Sequence, residues 1–141
     1  VKLGVDHDGR YWVLDVVRGQ WDSYTREQHI LNTAKLDGPN CLVAVEQEPG
    51  SGGKESAENT VRNLAGFRVR VDRPTGEKAV RADPFSTQVN GGNVSIAKGE
   101  WNLPYIEELR YFPAGKYKDQ VDASSGGFAQ LVRKRIRVGA L

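Results

Sequence analysis

Cys41-Leu42-Val43-Ala44-Val45-Glu46 is a run of apolar residues without alternation, closed by a carboxylate. A strand buried on both faces has this pattern, as the central strands of α/β sheets do, whereas a half-buried strand alternates. On this reading Cys41 is a core thiol. As the chain's single cysteine it has no internal disulfide partner, which fits a reducing compartment. Pro49-Gly50-Ser51-Gly52-Gly53 then reads as a loop. A helix is expected from Lys54 to Ala65, with Ala57, Val61 and Leu64 at helical spacing and Gly66 as its stop. Phe67 to Val71 reads as the next strand, closed by Pro74.

Before this run, Val1, Leu3 and Val5 alternate with polar residues, and His7-Asp8-Gly9-Arg10 leads into Tyr11 to Arg18, rich in β-branched and aromatic residues. Asp-Gly between two such runs signals a hairpin. Thr25-Arg26-Glu27-Gln28 has capping-box spacing and predicts a helix from Thr25 to Leu36, stopped by Gly38-Pro39. After the second strand of the central unit, a helix is expected from Glu77 to Val89 and a short strand from Val94 to Ala97. A helix capped by Asn102 should run to Phe112, and a last one from Asp119 to Lys134, with Val121, Phe128, Leu131 and Val132 inward. Hairpin, helix, strand, helix, strand, then mostly helix describes an α/β layered domain with a mixed sheet. At 141 residues the chain is read as one domain, 1–141.

Composition narrows the function classes. Hydrophobic residues are 38% and charged residues 27%, an ordinary globular balance. No apolar run approaches the ~18 residues a membrane span needs. The net charge of +2 is too small to prove a nucleic-acid partner. Positive charge gathers in Arg68, Arg70 and Arg73, in Lys78 and Arg81, in Lys116 and Lys118, and in Arg133 to Arg137. Phosphate contacts would use such clusters, although a solvated surface is the plainer reading of charge alone.

The chemistry concentrates in carboxylates. Glu46 stands at the carboxyl end of the inferred central strand, where open α/β sheets place ligands. Asp119 and Asp122 share a helix face near its amino terminus, where one of them could equally serve as a cap. Three such carboxylates converging would suit magnesium or manganese, which take oxygen ligands. Gly50 to Lys54 looks like a phosphate-binding loop, but the pattern needs Gly and Ser/Thr where Glu48 and Glu55 stand. His7 and His29 lack partners at zinc-ligand spacing. Trp12, Trp21 and Trp101 are read as core or sheet-edge packing.

Four segments in order carry a resemblance: Tyr11 to Trp21, Val45 to Lys54, Arg73 to Pro84, and Phe112-Pro113 through Lys118 to Ala123. Together they resemble the carboxy-terminal nuclease domain of large terminases from tailed phages and prophages. The resemblance implies a ribonuclease H-like fold and a two-metal endonuclease that cuts concatemeric viral DNA in the bacterial cytoplasm. Implied partners are double-stranded DNA, the small terminase subunit, the portal protein and an upstream ATPase domain on the same polypeptide. Glu46 matches the second acidic ligand, Asp122 the late aspartate, and Asp119 the neighbouring assisting position. Glu48, Lys78 and Arg81 also match family positions, and Lys78, Arg81, Lys116 and Lys118 are taken as DNA contacts. Where the family often has histidine, this chain has Tyr117.

The family's first acidic ligand is an aspartate on a strand that would precede Val1. Asp6 in the hairpin turn and Asp15 on the following strand are not natural substitutes. With no initiator methionine, the sequence reads as a fragment lacking that first, central strand. Two half-sheets are then expected, with the gap filled by a strand outside this sequence, by a neighbouring chain, or by the hairpin shifting onto Cys41–Val45; the first is favoured. The alternative function is a non-catalytic ribonuclease H-like module that docks DNA or a packaging partner.

Overall fold

The computed structural model describes residues 1–139, with side chains described through Arg133. The chain forms two compact units. One combines Val1–Arg18 with the chain from Gly76 onward, and the other is Gly19–Thr75. The strands divide into two sheets in the same way.

In the first unit, β1 (Lys2–Val5) and β2 (Tyr11–Asp15) pair antiparallel, and β2 pairs parallel with β5 (Val94–Ile96). The connecting turn is set by Asp6. Its carboxylate accepts from the backbone N–H of Asp8 and Arg10 and from the Trp12 indole, while Gly9 takes the positive φ of 84° that closes the turn. The Trp12 hydrogen bond, then the backbone ones, hold the Asp6 carboxyl below its ordinary pKa. Three helices complete the unit: α3 (Lys78–Asn90), α4 (Asn102–Tyr111) and α5 (Asp119–Gly139). Tyr11, Val13, Val16, Phe85, Tyr105 and Phe128 form its core. Phe128 meets the Tyr11 ring edge-on, with centroids 4.9 Å apart, and lies 5.8 Å from the Phe85 ring. Val121 and Phe128 are buried and Leu131 and Val132 half-buried, so α5 turns inward the face its spacing predicts.

In the second unit, β3 (Leu42–Glu46) and β4 (Arg68–Asp72) are parallel, joined through α2 (Ser51–Asn63) and preceded by α1 (Ser23–Asp37). Glu27 of α1, itself buried, accepts from Thr60 and Asn63 of α2, so a hydrogen-bonded carboxylate ties these helices together. The mixed sheet of the first unit and the parallel pair of the second make this an α/β fold. The ladder bonds of β3 go to β4 and those of β1 to β2, so the hairpin has not shifted onto Cys41–Val45.

Several local expectations need correction. The cap of α1 is Asp22, whose carboxylate accepts from Thr25 N at 2.8 Å, not Thr25 itself; this bond lowers the Asp22 pKa. Strand β3 is not buried on both faces: Ala44 and Glu46 are exposed, and Cys41 is only half-buried. Asn102 does not cap α4 but pins the loop before it, accepting from Gly99 N and donating to Ala97 O. The expected glycine loop is half helix, since α2 already begins at Ser51.

That early start rests on Gly53. A Cβ there would collide with the Glu48 carbonyl oxygen, whereas one at Gly52 would meet nothing within 4 Å. Gly53→Ala should therefore destabilise the chain by about 1–3 kcal/mol through backbone displacement. Gly52→Ala should be neutral or stabilising by up to about 1 kcal/mol, as alanine is in helices. Urea denaturation followed by circular dichroism measures both; equal losses would remove the steric account of this turn.

Candidate active site

The site is built from the start of α5. A helix begins with backbone N–H groups that have no helical acceptor, and burying them unsatisfied is costly. Here a buried carboxylate from α4 takes them up. Glu108 accepts from Gln120 N at 2.7 Å and Val121 N at 3.1 Å through one oxygen, and from the Gln120 amide through the other. Ser124 extends the network by donating to Gln120 O at 2.7 Å. Its single proton is thereby used, so in the 2.8 Å contact with Tyr105 the phenol donates and Ser124 accepts. Tyr105 is 1% exposed. Burial pushes its pKa up to about 12, opposed by the Ser124 bond and aided by the charge of Glu108.

This anchoring places Asp122 at the end of the first turn, where its carboxylate is 8% exposed. Lys78 Nζ lies 2.9 Å from Oδ2, and Arg81 Nη2 lies 3.1 Å from Oδ1. Lys78 and Arg81 are three residues apart on α3 and so present on one face. A buried carboxylate needs such compensation, because desolvating an unpaired charge costs several kcal/mol. Arg81 Nε is also buried and makes no hydrogen bond.

Asp119, one turn earlier, is exposed. The two aspartates that look equivalent in sequence thus have different environments: one held between two cations, the other facing solvent at the helix amino terminus. Lys116 and Lys118 are exposed in the segment before α5. Between them, the Tyr117 ring carries Lys116 Nζ at 5.1 Å and the Arg18 guanidinium at 5.8 Å from its centroid.

Glu46 belongs to the other unit, exposed at the end of β3. Its register partner across the parallel ladder is Asp72, so two carboxylates share the carboxyl end of that strand pair. Glu48, two residues on, is exposed. Arg68 and Arg73, read as basic surface, are engaged locally, donating to Asn40 O and to the Gln47 side chain. The expected basic segment Arg133 to Arg137 lies outside the described side chains beyond Arg133.

Glu108, Tyr105 and Asp72 escaped the sequence reading. The signal for Glu108 was its place among Trp101, Tyr105, Leu109 and Phe112, at helical spacing on an otherwise apolar face. That for Asp72 was the alternation running one residue past Val71.

Glu46, Asp119 and Asp122 offer only hard oxygen donors, which fit magnesium or manganese. Both oxygens of Asp122 are already engaged, by Lys78 and Arg81. Among the described residues no three His, Cys, Asp or Glu side chains stand as a metal-holding group. Also among them, no helix is long and apolar enough to cross a membrane.

Compared with protein families, residues 2–131 match the terminase RNaseH-like domain. The chain belongs to that family. Curated proteins and solved structures give no match. The terminase match runs through both compact units and spans every element from β1 well into α5. It makes this chain a terminase module of nuclease type, in a fold whose nucleases generally work with divalent metals.

The buried phenol of this terminase domain has a measurable consequence. With a folded pKa near 12 against an ordinary 10.0, the unfolded state loses its proton first as pH rises. Stability should therefore be intact below about pH 10 and decline as pH climbs toward about 12. Tyr105→Phe should remove this part of the alkaline loss, read as denaturant midpoints across that range. An unchanged alkaline profile would show that Tyr105 does not carry it.

Proposed function

We propose that this chain is the DNA-cutting module of a large terminase, a metal-dependent endonuclease acting on concatemeric viral DNA during genome packaging. The observation that carries the reading is Asp122: a buried carboxylate, fixed at a helix start and flanked by cations, in a chain of the terminase RNaseH-like family. Glu46, Asp119 and Asp122 would hold magnesium or manganese, which when bound activates water and stabilises the leaving oxygen of the phosphodiester. Asp122 supplies the rigid donor, because Glu108, Gln120 and Ser124 fix the turn that bears it. Asp119, exposed on the same turn, supplies the adjustable one. Glu46 stands at the end of β3 with Asp72 as its register partner.

Lys116 and Lys118 would hold DNA through its phosphates, with Arg18 and Tyr117 in the same exposed group. The packaging partners that go with this reading are the small terminase subunit, the portal protein and an ATPase domain upstream on one polypeptide, in the bacterial cytoplasm. A second reading, a docking module without catalysis, draws support from the same carboxylate, since both oxygens of Asp122 already have cationic partners.

Plasmid cleavage in manganese separates the two. Asp122→Asn should abolish nicking, a loss of at least about a hundredfold, while leaving plasmid binding in place. On its own this chain is expected to nick poorly for want of the family's first aspartate, so the comparison uses a chain extended upstream by about twenty residues. Binding without manganese-dependent nicking by that longer chain would favour the docking module. Replacing Lys116 and Lys118 together by alanine should weaken DNA binding across sequences. It should also lower the slope of log affinity against log salt by about two, at ~0.9 per phosphate contact. A parent-like slope would remove these lysines from the DNA path.

A further inference from the structure

Arg18 follows β2 and Lys116 precedes α5, yet the side chains of both meet at one ring. Tyr117 is 46% exposed, with Lys116 Nζ 5.1 Å and the Arg18 guanidinium carbon 5.8 Å from its centroid. Among the described residues neither cation has a carboxylate partner. In this they differ from Lys78 and Arg81, which meet Asp122, and from Arg68 and Arg73, which donate within their own unit. Two like charges drawn together repel, and the electron-rich face of the ring is what offsets that repulsion. The ring carries no net charge, so the pair still favours an anion beside it.

We propose that Arg18 and Lys116 form a two-cation clamp for a backbone phosphate of DNA, with Tyr117 as the positioning residue that holds them together. This rests on the reading that DNA is bound ahead of α5, and adds to it a contact from the segment after β2. A guanidinium presents parallel donors that match two phosphate oxygens, and an ammonium adds a point charge. A long side chain loses rotamer freedom when it grips a ligand, and cations already gathered on a ring have given up part of that freedom beforehand. All three residues are exposed. So open a cluster suits a phosphate carried on a strand, whose neighbouring phosphates reach further contacts, better than a free anion, which needs enclosure.

DNA affinity measured against salt, on duplexes of unrelated sequence, tests this without relying on cleavage. Arg18→Ala should lower the slope of log affinity against log salt by about 0.9, the share of one phosphate contact. Tyr117→Leu removes the ring but no charge. It should weaken binding about two- to fivefold, the worth of one exposed cation–ring contact, with the slope unchanged. Tyr117→Phe keeps the ring and should bind as the parent does. If the parent binds DNA but Arg18→Ala keeps its slope, Arg18 touches no phosphate; the proposal falls and the DNA reading stands. If the parent binds no DNA, both fall. Equal losses in Tyr117→Phe and Tyr117→Leu would overturn the positioning role of the ring. Saturable binding of inorganic phosphate, lost in Arg18→Ala, would make the cluster a free-anion site and overturn the proposal as well.

Discussion

A carboxylate buried at the beginning of a helix is costly unless donors meet it, and helix starts are where unsatisfied donors occur. Glu108 and the first turn of α5 solve each other's problem: two backbone N–H groups and one side-chain amide converge on its oxygens. The charge also lies at the end of the helix where a negative group is favoured. This pairing sets where α5 starts, while Phe128, packed against Tyr11 and Phe85, sets its rotation. Start and rotation together fix the direction of every side chain on the first turns of α5. Val121 and Ser124 lie on the buried stripe with Phe128, and Asp122 emerges beside that stripe, toward Lys78 and Arg81 of α3.

The same logic explains why Asp119 and Asp122 part company. Asp119 opens α5, so it has solvent on one side and the helix dipole on the other, and water solvates it. Asp122, one turn in, has lost that solvent, and its compensation comes from α3 instead. Geometric equivalence on a helix face is therefore not chemical equivalence. The carboxylate that tolerates least movement is the buried one, because shifting it would expose Lys78 and Arg81 to each other without the charge between them.

Element order was legible in the sequence because it follows from apolar spacing and punctuation. The hairpin, the two parallel strands of the second unit and the α5 stripe all rest on local patterns that tertiary packing left intact. Burial was less legible. Cys41 to Val45 has the composition of a strand covered on both faces, yet Ala44 is exposed, since apolar content states what a strand could bury and not what lies against it. Caps were misplaced by a few residues because Asp22, Thr25 and Asn102 are all competent, and the choice among them depends on which N–H groups face them. Glu108 was hidden for a related reason: a carboxylate on an apolar face looks like a defect until its donors, twelve and thirteen residues away, are known.

Charge clusters were the hardest to read, and the reason bears on how nucleic-acid surfaces are inferred. A basic residue near an acidic motif can serve a phosphate or the motif itself, and a net charge of +2 does not distinguish them. Spacing does so in part. Lys78 and Arg81 are three apart inside α3, which aims both at one point, and that point is a carboxylate. Lys116 and Lys118 flank an aromatic ring outside any helix, where neither is bound to a single partner by helical geometry. Arg68, Arg73 and Arg10 are engaged by carbonyls and side chains of their own units. Among these clusters, the positive charge best placed to meet a polyanion is therefore the pair before α5, a few residues from the buried aspartate.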